Sequence, residues 1–194
     1  MPRYFALRSM VLALFAVNSI FWTTSAAQAQ PFRHKFGELR SYERHWLAVC
    51  PEAGDTYANT CRGVTHAGVS GPFFDERLSV ELDKSTGKHS IFIVVDNYET
   101  LDKTKPVSLL FSSGKRMSLK WGNDVEQNGN TVNEFVFTDP AKVEDIVSRM
   151  KAANHVTMAW PLSNGTADTV LYSTIGFTAA MDFAKKYAGQ PTIR

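Results

Sequence analysis

The chain has 194 residues, of which 44% are hydrophobic, with 21 basic and 19 acidic side chains. That length suits one ordinary domain with a sizeable core. The near-balanced charge gives no global electrostatic reason to bind nucleic acid or an anionic membrane. Residues 1–29 read as a cleavable signal peptide. Met1–Ser9 carries Arg3 and Arg8 without an acid, Met10–Trp22 is a mostly apolar run of 13 residues, and Ala27-Gln28-Ala29 is a small-x-small site. A spanning helix needs about 20 apolar residues, so no transmembrane anchor is expected after processing. Cleavage is expected between Ala29 and Gln30. The product would be periplasmic or secreted, with 19 charges of each sign, since the leader holds two arginines and no acid.

Gln30–Tyr42 is polar and reads as irregular, so residues 30–43 are expected to form a flexible segment ahead of a single β-rich domain over 44–190. His45–Cys50 and Thr60–His66 read as strands flanking Cys50 and Cys61, the only cysteines. Outside the cytoplasm, a pair closing a short loop with turn residues Gly54, Asp55 and Asn59 reads as a disulfide. In the chain-entropy account it stabilises by roughly 3 kcal/mol. Phe73–Leu82 alternates, Lys84–Gly87 turns, and Ser90–Val95 is a continuous apolar run, the pattern of a central strand covered on both faces. Val107–Phe111 and Met117–Trp121 form the next pair. Gly122–Asn130 is polar with an Asn128-Gly129 turn, and Val132–Phe137 returns. Asp139-Pro140 is a helix start, followed by Val143, Ile146, Val147 and Met150 at helical spacing. His155–Trp160 and Thr169–Ser173 make a hairpin about Asn164-Gly165. A second helix is predicted over Phe177–Ala188, with Phe177, Ala180, Met181, Ala184 and Tyr187 on its apolar face and Gly189 and Pro191 ending it. The fold class is α+β: mainly antiparallel, sandwich-like sheet with two helices near the C-terminus.

Motifs that carry chemistry are sparse. His34, His45, His66, His89 and His155 show no metal-ligand spacing. There is no nucleophile elbow around Ser70 or Ser113, no phosphate loop at Gly87 or Gly114, and no cofactor motif. Asp75, Glu76, Asp83 and Asp96 lie on or beside neighbouring predicted strands, but spacing alone does not pair any two of them. Phe73, Phe74, Phe92, Phe111, Trp121, Phe135, Phe137 and Trp160 fall mostly on the apolar phase of strands, as core residues do.

Trp46-Leu47-Ala48-Val49-Cys50, then Cys61, a late helix and hairpin, and finally Gly176-Phe177-Thr178-Ala179-Ala180-Met181 resemble the invasion-associated locus B family of exported bacterial proteins. The likeness in order of elements covers roughly residues 44–188. Many members carry a further cysteine pair, which this sequence lacks. The resemblance implies a periplasmic or cell-surface role and no catalytic residues. The expectation is an exported, non-catalytic protein that binds an envelope or host-surface protein. The alternatives are an enzyme whose carboxylates or histidines assemble only in the fold, or a structural envelope stress factor.

Overall fold

The computed structural model describes residues 30–51, 59–67 and 76–189. The leader up to Ala29, and with it one side of the expected cleavage site, lies outside the described residues, as do Phe73, Phe74 and Asp75. The chain runs through β1 (Phe32–Arg33), β2 (Leu39–Glu43), β3 (Trp46–Cys50), β4 (Thr60–His66), β5 (Arg77–Asp83) and β6 (Lys88–Val94). It continues through β7 (Val107–Phe111), β8 (Arg116–Leu119), β9 (Val125–Gln127), β10 (Glu134–Phe137) and α1 (Pro140–Ala152), and ends with β11 (His155–Pro161), β12 (Ala167–Ser173) and α2 (Phe177–Tyr187). The result is an α+β fold of antiparallel strands with both helices late in the chain. One sheet has eight strands in the order β1-β2-β3-β4-β5-β6-β10-β9, and the other has four in the order β12-β11-β7-β8.

Three expectations need correction. The stretch before Glu43, read as irregular, contains β1 and β2, and β2 pairs with β3 along its whole length, from Leu39 opposite Cys50 to Glu43 opposite Trp46. Its composition is polar because backbone pairing, not apolar burial, holds it there, while Ser41 alone is fully buried. The polar Gly122–Asn130 stretch likewise contains β9, which pairs with β10. Ser90–Val95 does lie inside the large sheet, but only Ile91, Ile93 and Val95 are buried, whereas Phe92 and Val94 on the other face are half-buried.

Strand register shows how the layers stack. Gly63, Val80, Ile91 and Phe135 share one face of the large sheet with Ala48, because paired residues of an antiparallel ladder point the same way. Met181 and Ala180 of α2 sit over Gly63, while the Phe135 ring meets Trp160 of the small sheet at 5.8 Å. Glu144 of α1 meets His89 at the edge of the same face. Both helices and the small sheet therefore pack on one side of the large sheet, and the core lies between these layers.

The helices start differently. At α1, the Asp139 carboxylate accepts the N–H groups of Ala141 and Lys142 at 2.9 and 3.2 Å, and Pro140 occupies the first turn. The buried Asp124 carboxylate accepts the Lys120 N–H at 2.8 Å and the Lys142 ammonium at 2.6 Å, fastening α1 to the turn before β9. Burial alone would raise its pKa, but these two partners more than offset that and hold it below the usual carboxylate range. Helix α2 has no side-chain cap and starts on Gly176 at φ 96°. A Cβ there would overlap the Glu43 carbonyl oxygen, so only glycine fits. Phe177 then enters the core against Trp46, their rings 4.8 Å apart. Phe183, absent from the predicted apolar face, is buried, whereas Tyr187 is half-buried beside it.

Candidate functional site

The expected disulfide is present. Cys50 and Cys61 are joined with their Cα atoms 4.4 Å apart, opposite one another and one position beyond the paired Val49 and Arg62. Both are buried under α2's side of the sheet. The bridge is a structural staple between neighbouring strands and presents no thiol to solvent.

Of the carboxylates singled out in the sequence, Asp83 is committed to its own turn and joins no acid–base couple. Both Asp83 oxygens are occupied inside its own turn, by Ser85 N–H and Oγ–H at 2.8 and 2.6 Å and by Thr86 Oγ–H at 3.1 Å. The Ser85 hydroxyl is the main reason its carboxyl lies below the ordinary range. The phenol of Tyr172 is fully buried and has no hydrogen-bond partner among the described residues, while Glu76, Asp168 and Asp96 act on it electrostatically. Burial first, and then these three acids, push that phenol above its ordinary range, so it is neutral at any physiological pH. It points into the core. No group of three or more His, Cys, Asp or Glu among the described residues can hold a metal ion.

The histidines have separate tasks. His89 binds Glu144 through Nδ1 at 2.9 Å and through its backbone N–H at 3.0 Å, pinning α1 to β6. Glu144 would be raised by burial, yet these contacts hold it below its usual value. His45 is the exception of chemical interest. Its Nδ1 lies 2.6 Å from Ser173 Oγ, which also accepts the Ile175 N–H at 3.2 Å. A base within hydrogen-bond reach of a hydroxyl is half of a nucleophilic site. Among the described residues, no carboxylate is bonded to the His45 ring.

The outward face of the small sheet carries an open trough. Alternation sends Val107, Leu109, Phe111, Val156, Met158, Val170 and Tyr172 inward and leaves their neighbours outside. Register then places Arg116, Leu110, Thr157 and Leu171 in one row across four strands, and Ser118, Ser108, Ala159 and Thr169 in the next. All of these but Leu171 line the open trough of about 550 Å³, and Leu171 stands beside it on the edge strand β12. Leu110, inside the trough, is 38% exposed, and Leu171, outside it and next to Thr157, is 52% exposed. Ser108, Ser118, Thr157 and Thr169 bring four hydroxyls to the trough, and Arg116 closes one end. The paired His155 and Ser173 form the row on the other side of Thr157 and Leu171, which brings the His45–Ser173 contact to the edge of this face.

The sequence-derived site residues separate accordingly: Cys50 and Cys61 are joined, Gln30 is exposed at the start of the described chain, and Ala29 is outside it. Sequence reading found no trace of the trough. Its only local signals were the outward phases of β7 and β11, which look like any solvated strand. No family model, curated protein or solved structure matches this chain.

Proposed function

We propose that this is an exported, non-catalytic binding protein of the invasion-associated locus B type, engaging an envelope or host-surface protein through the outward face of the small sheet. The observation that carries this reading is the outward face itself: exposed Leu110 with four hydroxyls around it in the trough, and exposed Leu171 beside that trough on the edge strand. Solvent-exposed leucines rimmed by polar groups are what an interaction surface presents. The Cys50–Cys61 bridge supports the exported part, since such bonds persist in oxidising compartments. A pull-down from envelope extract with the mature protein as bait tests it. Wild type should capture a partner that Leu110→Asp/Leu171→Asp, at equal stability, does not. Equal capture by both proteins contradicts the assignment of this face.

The His45–Ser173 contact favours one second reading, acyl transfer by a hydroxyl with a neighbouring base. If that reading is right, Ser173→Ala abolishes function in a protein of normal stability and leaves partner capture untouched.

A further inference from the structure

We infer that the mature protein is closed at its amino end: once the leader is removed, Gln30 cyclises to 5-oxoproline. This rests on the processing reading above, which makes Gln30 the first residue. Gln30 is exposed and lies outside β1, whose pairing begins at Phe32 opposite Arg40. No strand partner therefore restrains it. The new α-amine and the side-chain amide belong to one residue, and joining the amine nitrogen to Cδ closes a five-membered ring. An α-amine has an ordinary pKa of about 7.7–8.0, so an appreciable fraction is unprotonated near neutrality. Its lone pair attacks Cδ of its own side chain, the N–Cδ bond forms, and the Cδ–Nε2 bond breaks. Ammonia leaves carrying the proton given up by the amine, and no oxidant, reductant or co-reactant is needed.

The position of Gln30 gives the product a seat. With Pro31 it lines a groove of about 310 Å³ against α2, whose other walls include Asp182, Phe183, Lys186 and Tyr187. A lactam is small, neutral and half apolar, with one N–H to donate and one carbonyl to accept. The groove matches each property: the aromatic rings of Phe183 and Tyr187, the Asp182 carboxylate as acceptor, and the Lys186 ammonium as donor. Cyclisation thus replaces a charged terminus with a neutral cap that rests on the helix carrying the Gly176–Met181 motif.

The test is the amino-terminal peptide of the exported protein, with its free amines labelled at neutral pH at the moment of harvest. The expected peptide starts at residue 30, is lighter than the glutamine form by one ammonia, carries no label on its α-amine, and resists sequential degradation until a pyroglutamyl peptidase is added. A labelled Gln30 amine overturns the cyclisation and leaves the processing reading intact. A peptide starting elsewhere overturns both. Seating is read separately: Asp182→Ala/Lys186→Ala should leave the ammonia loss unchanged but let the peptidase remove the cap several-fold faster. Equal removal rates in the folded wild type and variant overturn the seat.

Discussion

The two helices occupy the same side of the large sheet and arrive there by different physics. Helix α1 is an ordinary amphipathic helix with a carboxylate cap, and its Val143, Ile146, Val147 and Met150 cover the sheet as an apolar stripe. Helix α2 depends on the absence of atoms. Gly176 allows the chain to leave β12 beneath the Glu43 carbonyl, and Gly63 lets α2 approach so closely that a Cβ would stand 2.7 Å from Met181 Cε. A stripe tolerates substitution by degrees; the backbone overlap at Gly176 fails at once, whereas at Gly63 the flexible end of Met181 can shift. The motif Gly176–Met181 is accordingly a folding element, with Phe177, Ala180 and Met181 buried and only Thr178 fully outside.

Substitutions can break that contrast. Gly176→Ala should cost more than about 4 kcal/mol, the exceptional range for a point change, because strain at positive φ adds to a backbone overlap. Thermal unfolding and exported yield would both fall sharply, and an unchanged midpoint would show that α2 enters with slack. Phe177→Ala should cost about 3–5 kcal/mol through lost burial and the cavity left against Trp46. Denaturant unfolding measures it, and a loss under about 1 kcal/mol would mean that the pocket collapses freely. Replacing Cys50 and Cys61 together by serine should cost about 2–4 kcal/mol while the sheet persists, read by circular dichroism with and without reductant. Retained stability there would show that α2, not the bridge, holds β3 to β4. For α1 the corresponding loss is small: Asp139→Ala should cost about 1 kcal/mol, the ordinary worth of a cap. Thr178→Ala, on the solvent side of α2, should stay within about 0.5 kcal/mol. If Asp139→Ala proves costlier than Phe177→Ala, the contrast between the helices is reversed.

The same division explains what was legible in the sequence. Helix α1 could be read because cap, proline and period lie within a few residues of one another. The strands β4 and β7 match their predicted bounds because apolar phase and turn residues agree locally. The strand β2 was not legible, since a polar strand held by its neighbour's backbone leaves no apolar pattern. The buried Phe183 escaped because its burial depends on the packing around α2, not on the helical stripe alone. The trough was the least legible of all. Leu110 and Leu171 become neighbours of Thr157 only through the register of β7, β11 and β12, and His45 reaches Ser173 across 128 residues. No window of sequence contains either juxtaposition.

The central claim is that this protein works by binding through the small sheet's outward face and not by chemistry at its edge. One complementation measurement sets the two against each other: a strain lacking the gene is scored for its envelope or invasion phenotype while carrying either Leu110→Asp/Leu171→Asp or His45→Ala/Ser173→Ala, each shown to be exported at wild-type level and stability. The account predicts loss of function for the leucine pair and full function for the histidine–serine pair. Full function with the leucine pair replaced, and loss with the histidine–serine pair replaced, would contradict it.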